Sequence, residues 1–215
     1  MAELNPQPIE LETRTFTVVQ LLDEVRRGRV RLPSFQRRFR WSDEDRRQLF
    51  DSLQHGYPVG TLLLARGAAP AGQVALAGFF QQVPAAPDVL WVVDGQQRLA
   101  TLAMAMVEDH SGGYRPIYFD INTDKFILGL RRRAPAPEWI PARVLLSSAA
   151  LNRWLREANL SDALNDRADQ IAARLREYKV PAYLVPYDGQ NDAVLQQIFA
   201  RTNRRARWPS CSAWT

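Results

Sequence analysis

The sequence predicts a mixed α/β fold, an α+β core with a small mixed sheet that is followed by a mostly helical C-terminal portion. Two observations lead to this prediction. Short β-rich runs alternate with amphipathic helical patterns up to about residue 130, and helical patterns dominate beyond residue 143. The 215 residues are 46% hydrophobic and 24% charged, which is typical of a globular protein with a sizeable core.

The first 90 residues predict two helices and one buried strand. Apolar residues at helical spacing before a glycine predict a helix over residues 16–28, and a short extended segment follows at residues 30–41. A capping serine, three acidic residues and a closing glycine mark the second helix at residues 42–56. The strand covers residues 61–66. Residues 67–88, rich in Ala, Gly, Pro and Gln, predict a long surface loop.

The remaining elements follow from the same periodicities. A strand at residues 90–94 leads into a helix at residues 96–110, and two β-rich runs predict a hairpin over residues 115–130. Further helices are predicted at residues 150–160, 161–178 and 191–203, with an extended segment at residues 179–187.

The composition changes at residues 131–143, a basic and proline-rich stretch that we interpret as a connector. The predicted core is therefore residues 15–130. Residues 144–203 are predicted to form a helical extension that partly packs on this core.

The charge favours polyanionic partners. The net charge is +5, and all but two of the 28 basic residues are arginine, whose planar fork can donate paired hydrogen bonds to phosphate. A GC-rich genome explains the same bias without any function. The N-terminus lacks the basic and apolar regions of a signal peptide, and the single cysteine, Cys211, excludes a disulfide framework or a cysteine metal site. We therefore expect a cytoplasmic protein that does not bind membranes.

The polar run "DGQQR" separates the strand "LWVV" from an apolar helix. Gly95 allows a sharp turn, and the free N–H groups of the helix that follows form an anion site within reach of Arg98. Gln96 and Gln97 add amide donors and acceptors, and Asp94 can hold a metal ion or polarise a water. The run therefore predicts a phosphate pocket. The alternative is that Asp94 only caps the helix and Arg98 is its surface neighbour.

A second polar cluster, "LPSFQRRFRW" at residues 32–41, interleaves arginines with aromatic residues. We expect Phe35, Phe39 and Trp41 to anchor the segment while the guanidinium groups project towards phosphate, and the same pattern serves stacking on nucleotide bases. The alternative is an amphipathic edge with solvated charges. Taken alone, the turn "GYPVG" at residues 56–60 is more typical of a structural role than of a catalytic one.

Together these motifs closely resemble the N-terminal domain of GmrSD-type restriction endonucleases over about residues 15–130. That family has a Pro-x-x-Gln-Arg segment, a helix ending in Gly-Tyr-Pro-x-Gly and an Asp-Gly-Gln-Gln-Arg signature. In this sequence the three motifs are residues 33–37, 56–60 and 94–98. Their order and spacing agree with the family, and jointly they are far more specific than any one of them.

The resemblance implies a fold like those of the ParB N-terminal and sulfiredoxin domains, in which a strand-turn-helix unit binds a nucleotide phosphate. In the family, the signature is tied to nucleotide binding and hydrolysis, linked to sensing or restricting foreign DNA. The hypothesis is that Arg37 and Arg98 bind phosphate of a nucleoside triphosphate while Asp94 positions a water or a divalent ion such as Mg²⁺. The implied catalytic residues are Asp94, Gln97 and Arg98, and the implied nucleotide-binding residues are Gln36, Arg37, Arg38, Gly95, Gln96 and Thr101.

The sequence departs from the family pattern in two respects. Full-length relatives usually carry a C-terminal His-Asn-His type nuclease domain, whereas this chain has only two histidines, His55 and His110, so we expect no complete nuclease of that type. Beyond "FARTN", residues 204–215 contain neither a glycine nor an apolar period. They are expected to be a non-native end from a truncated or frameshifted gene, or the disordered tail of a short family variant.

The resemblance thus implies a nucleotide-binding, NTP-hydrolysing domain of a bacterial DNA-restriction or phage-defence protein. The expected partners are a nucleotide, DNA and a separate nuclease subunit, and a homo-oligomer is compatible with the sequence. Two alternatives stay open: a DNA-binding or regulatory module without hydrolysis, and a non-functional remnant of a longer enzyme.

Overall fold

A computed structural model describes residues 10–35, 38–76, 79–106, 113–129, 135–188 and 192–202. The predicted mixed α/β class is confirmed. The strands in this part of the chain are β1 Glu12–Thr17, β2 Val30–Arg31, β3 Leu62–Ala69, β4 Gly72–Leu76, β5 Phe79–Val83, β6 Ala86–Asp94, β7 Ile117–Asp120, β8 Lys125–Leu128, β9 Trp139–Pro141 and β10 Lys179–Pro186. The helices are α1 Val18–Arg26, α2 Asp43–His55, α3 Gln96–Met104, α4 Ala142–Leu145, α5 Ser148–Ala158, α6 Asp162–Glu177 and α7 Asp192–Thr202.

Two of the predicted helices begin at reciprocal caps. The Thr17 hydroxyl accepts a hydrogen bond from the Gln20 backbone N–H at 3.2 Å, and the Gln20 side chain accepts from the Thr17 N–H at 2.8 Å. Ser42 and Asp45 make the same exchange at the start of α2, and Gly56 ends that helix in the left-handed conformation with φ 70°. These caps satisfy backbone donors that the first helical turn leaves free, so the ends of both helices follow from the local sequence.

The central sheet has the strand order β1-β10-β3-β6-β2. Strand β3 is antiparallel to β6, whereas β2 is parallel to β6 and β10 is parallel to β3. The carboxyl ends of β2 and β6 therefore lie at the same edge as the beginnings of β3 and β10. We call this edge, with the residues that follow β2 and β6 and precede β3 and β10, the site edge.

Helices cover both faces of this sheet. The main core lies on the face that packs against α1, α2, α3 and α6, and a smaller cluster lies beneath α7 on the opposite face. The side chains of β3, β6 and β10 alternate between the two clusters, as β-structure requires. The smaller cluster contains Leu63, Ala65, Val93, Val185 and Leu195, with Phe35, Trp91, Tyr187, Ile198 and Phe199 packed against it.

The long surface loop predicted for residues 67–88 is wrong. Strand β3 continues to Ala69, β4 and β5 form a hairpin, and β6 already begins at Ala86. Val74 and Val83 of the hairpin are buried in the main core. The strands of this region are short and weakly hydrophobic, and their composition is typical of loops. The alternation of buried and exposed residues is therefore difficult to detect from the sequence.

Several other elements agree with the sequence prediction. The predicted hairpin is confirmed as β7 and β8. The predicted helix at residues 96–110 extends through Met104, and residues 107–110 lie outside the described residues. Within the described ranges, no helix is long and apolar enough to cross a membrane.

The C-terminal portion contributes to the same sheet as the N-terminal portion. It contains the predicted helices, but β10 also lies between β1 and β3 as an interior strand of the sheet. Part of the predicted connector forms β9, which pairs with β7. The domain boundaries stay a prediction, and the predicted tail at residues 204–215 lies outside the described residues.

Candidate functional site

Three sequence motifs meet at the site edge. The signature at residues 94–98 ends β6, the turn at residues 56–60 leads into β3, and the segment at residues 32–41 follows β2. Because β2 is parallel and β3 antiparallel to β6, motifs that are distant in sequence become neighbours. The strand pairing therefore brings the three motifs together.

Gly95 is the N-cap of α3, and no side chain in the described part of the chain makes a capping hydrogen bond there. Its φ of 96° is a conformation that L-residues rarely adopt, and a Cβ at this position would lie 2.2 Å from Leu62 Cδ2. The alternative in which Asp94 is the helix cap is therefore wrong. Among the described residues, no side chain caps the first N–H groups of α3, an arrangement that favours anion binding.

Arg98 joins the signature to the turn that precedes β3. Its side chain is only 16% exposed. Nη1 donates to the Val59 carbonyl at 2.8 Å, and Nη2 donates to the Thr61 carbonyl at 2.9 Å. A Cβ on Gly60 would lie 2.9 Å from Arg98 Nη1, and φ at Gly60 is 83°. Arg98 is thus a buried link between two motifs, which excludes the alternative that it is a surface neighbour of Asp94.

The carboxylate of Asp94 lies beside this guanidinium. Arg98 Nη2 is 3.5 Å from Asp94 Oδ2, and the Asp94 side chain is 37% exposed. Burial lowers the pKa of Arg98, and the negative charge of Asp94 opposes that change. An arginine remains protonated under such a shift. The site edge therefore combines a buried cation with a partly exposed carboxylate.

Gln97 fastens the second polar cluster to α3. Its Oε1 accepts hydrogen bonds from the backbone N–H groups of Arg40 and Trp41, at 2.8 and 3.1 Å. Gln97 was predicted as a catalytic residue, and the described contacts give it a role in positioning residues 40–41. These contacts do not bear on the catalytic role of Gln97, which stays a prediction.

The predicted aromatic anchors of the second cluster are confirmed. Phe35 packs against Phe199 of α7 with ring centroids 5.9 Å apart. Phe39 makes an edge-on contact with Tyr114 at 5.4 Å, and both Phe39 and Trp41 pack against the main core. These contacts fix the segment on both sides of Arg38, whose side chain is exposed.

The structure does not bring all of the predicted site residues together. Gln36 and Arg37 lie outside the described residues. Gln96 is half-buried at the site edge. Thr101 is fully buried in the core, and its hydroxyl has no hydrogen-bond partner among the described residues. Thr101 therefore lies beneath the site edge rather than on it.

Tyr178 is a residue of this edge that the sequence did not identify. Its hydroxyl donates to the Tyr57 carbonyl at 2.7 Å and accepts from the Val59 N–H at 3.3 Å. Val59 is also the residue whose carbonyl accepts from Arg98. Tyr178 lies between α6 and β10, 80 residues beyond the signature, so only the tertiary fold reveals the contact.

The single carboxylate of Asp94 suits a divalent ion whose other ligands are phosphate oxygens and water. Among the described residues, no group of three or more His, Cys, Asp or Glu side chains is placed to hold a metal. Magnesium in phosphate-binding sites typically takes one or two carboxylates and completes its shell with phosphate oxygens and water. Asp94 fits the first of these parts.

The chain matches the family model described as the GmrSD restriction endonuclease N-terminal domain over residues 18–207, and it belongs to this family. The predicted resemblance is thereby confirmed and extends beyond residue 130. The chain is also 30% identical over 129 residues to the uncharacterised protein MJ0686 of Methanocaldococcus jannaschii. That match covers 55% of this chain and 22% of the relative, so the chain spans less than a quarter of the relative's length. The likeness to ParB and sulfiredoxin domains stays a prediction.

Proposed function

We propose that this chain is a nucleotide-binding part of a DNA-restriction or phage-defence protein and that it hydrolyses a nucleoside triphosphate at the site edge. The observation that carries the proposal is the start of α3 at Gly95, which no described side chain caps, beside the partly exposed carboxylate of Asp94. Membership of the GmrSD family supports the link to restriction.

Each part of this edge has a distinct role in the proposal. The first N–H groups of α3 and its dipole bind a phosphate group, and Arg37 and Arg38 add positive charge from the second cluster. Asp94 positions the attacking water or a Mg²⁺ ion. When bound, Mg²⁺ would neutralise phosphate charge in the transition state.

Arg98 contributes mainly by position. The described hydrogen bonds use three of its five N–H donors, two on carbonyl oxygens and one towards Asp94. Its positive charge stays near the phosphate site while it holds the turn at residues 56–60 against α3. The predicted direct contact of Arg98 with phosphate uses the remaining donors.

Phosphate release from GTP, ATP, CTP and UTP with Mg²⁺ tests this proposal. Asp94→Ala is expected to abolish release and to leave the fold intact, because the Asp94 side chain is partly exposed and makes one long ion pair with a described residue, Arg98. Asp169→Ala is the matched control, since Asp169 is an exposed aspartate of α6. Hydrolysis at the normal rate by folded Asp94→Ala protein would falsify the role of Asp94, and no hydrolysis by the wild type would contradict the enzymatic proposal.

We propose DNA as a second partner, with cleavage assigned to a separate nuclease subunit. The observation that favours DNA is the exposure of Arg38 and Arg40 on a segment that its aromatic residues anchor to the protein. Each phosphate contact contributes about 0.9 to the slope of log affinity against log salt. Arg38→Gln and Arg40→Gln should each reduce the slope by about this amount, whereas Arg153→Gln on α5 should not. Equal slopes in all variants would exclude this surface.

A further inference from the structure

Strand β1 forms one edge of the central sheet. The strand order places it beside β10, and no described strand pairs with its other side, which we call the outer edge of β1. The opposite edge of the sheet is β2, which has only two residues. Strand β1 has six residues, pairs with β10 in one continuous register and contains no proline. A very short edge strand limits pairing with another chain, whereas a longer and regular one permits it.

The hydrogen bonds to β10 show which backbone groups face the outer edge. The Val18 N–H, directly after β1, donates to the Tyr178 carbonyl at 3.1 Å. Because antiparallel pairing bonds every second residue to the partner strand, the even-numbered residues of β1 face β10, and Thr13 and Thr15 direct their N–H and C=O groups outwards. The Thr17 N–H agrees with this alternation, since its acceptor is a side chain of α1. The outer edge of β1 thus presents the backbone groups of two threonines.

The side chains of β1 carry opposite charges two residues apart. Glu12 and Arg14 lie on the face of the sheet that also carries Phe16, and both are exposed. The Arg14 guanidinium lies over the Phe16 ring, 4.6 Å from its centre. Thr13 and Thr15 are exposed on the other face. The strand therefore combines an exposed acid and an exposed base on one face with β-branched residues that favour strand structure on the other.

Antiparallel pairing of this strand with a second copy has one favourable register among the four that centre on residues 12–15. Registers centred on Glu12 or on Arg14 place like charges directly opposite, which is destabilising. A register centred on Thr15 places Thr13 opposite Thr17, whose N–H is already bound within its own chain. With Thr13 opposite Thr13, Glu12 of each copy lies opposite Arg14 of the other, at non-hydrogen-bonded positions where side chains are closest.

We propose that two copies of this chain associate through their β1 strands, with Thr13 opposite Thr13, and continue the five-stranded sheet across a two-fold axis. The outward backbone groups of Thr13 bond to each other, and those of Thr15 bond to Leu11 of the second copy. Two Glu12–Arg14 pairs lie on either side of the axis. Because the contact is short, the dimer is weak and its population rises with protein concentration. The proposal does not rest on nucleotide hydrolysis.

Sedimentation equilibrium of the full chain over a concentration series tests the proposal. The wild type is expected to change from monomer to dimer as its concentration rises. Glu12→Arg and Arg14→Glu should each raise the dimer dissociation constant at least about tenfold, because each places like charges opposite one another. Asp169→Arg and Arg153→Glu are the matched controls. They make the same changes of net charge at exposed positions of α6 and α5 and should leave the dissociation constant unchanged.

Mixing the two β1 charge variants separates the proposed contact from a structural effect of either substitution. Glu12→Arg leaves two basic side chains on this face of the strand, and Arg14→Glu leaves two acidic ones. In the proposed register the mixture therefore restores both charge pairs, and a heterodimer should form with about the wild-type dissociation constant. Thr13→Pro should weaken wild-type association as well, because proline removes the outward N–H and no hydrogen bond to β10.

Amide hydrogen exchange identifies the strand that forms the contact. The Thr13 and Thr15 amides should exchange more slowly as concentration rises, whereas the Arg14 amide, which faces β10, should not change. Circular dichroism melting verifies that each variant is folded. The proposal is overturned if the wild type stays monomeric throughout the series or if both charge variants dimerise like the wild type. It is also overturned if the mixture associates no better than either variant alone.

Discussion

At the residue scale, both the packing of the fold and the start of the candidate site require a residue without a side chain at Gly95. Its φ of 96° and the position of Leu62 Cδ2, 2.2 Å from where a Cβ would lie, leave no room for a side chain. Gly95→Ala is expected to lower the free energy of unfolding by at least about 2 kcal/mol, through backbone strain and displacement of Leu62. Urea denaturation measures the difference.

Gly72→Ala is the matched control for Gly95→Ala. A Cβ on Gly72 meets no atom within 4 Å, and its φ lies outside the left-handed region. The free energy of unfolding should therefore change by no more than about 0.5 kcal/mol. If the two variants lose the same stability, steric exclusion at Gly95 is not the reason that the signature contains a glycine.

Gln97 offers a second prediction at this scale. Gln97→Ala removes the acceptor for the N–H groups of Arg40 and Trp41, whereas Gln97→Glu keeps an acceptor there. Hydrogen exchange at these two amides should accelerate in Gln97→Ala and remain slow in Gln97→Glu. Fast exchange in both variants would mean that a carboxylate cannot replace the side-chain amide of Gln97 as the acceptor. Slow exchange in both would remove Gln97 from the positioning of this segment.

The local part of the site was predictable from the sequence, and the tertiary part was not. Gly95 and the apolar runs around it are neighbours in the chain, so strand, turn and helix follow from local rules. The acceptors of Arg98 are Val59 and Thr61, which reach it only because β3 and β6 are antiparallel. A motif reports which residue types are present, whereas long-range pairing decides which groups they contact.

At the element scale, Tyr178 connects the start of β10 to the turn before β3. Tyr178→Phe removes hydrogen bonds to Tyr57 and Val59 and should lower the free energy of unfolding by about 1–2 kcal/mol. Because Val59 also holds Arg98, the variant should reduce nucleotide affinity as well. Thermal denaturation and nucleotide titration measure the two effects.

Tyr183→Phe provides the control on the same strand. Tyr183 is exposed in β10, and its hydroxyl makes no hydrogen bond to another described residue. The variant is expected to leave both stability and nucleotide affinity unchanged. A loss of stability in Tyr178→Phe without any change in affinity would restrict Tyr178 to a structural role.

The elements that the sequence missed have weak local signals. Strand β1 has exposed residues at its first four positions and no hydrophobic alternation there. Its partner β10 supplies the buried side chains that stabilise the pair. The helices were predicted more accurately because caps and periodic apolar residues lie within each segment.

At the scale of the whole molecule, the position of β10 determines how the chain is held together. The sequence predicted an extended segment at residues 179–187 but not its place between β1 and β3, since neither partner is close in sequence. Strand order depends on non-local pairing, for which one sequence carries little information. The mixed class was therefore predictable, and the sheet topology was not.

This topology predicts that residues 1–143 do not fold alone. Among the described strands, β1 would lose its only partner and β3 would lose one of its two. The main core would also lose buried side chains of β10 and α6, including Leu184 and Ile171, each of which contributes about 1.5–3 kcal/mol when buried. A chain of residues 1–203, which retains every described element, is expected to melt cooperatively. A cooperative melt and dispersed amide spectrum for residues 1–143 would instead establish an independent N-terminal domain.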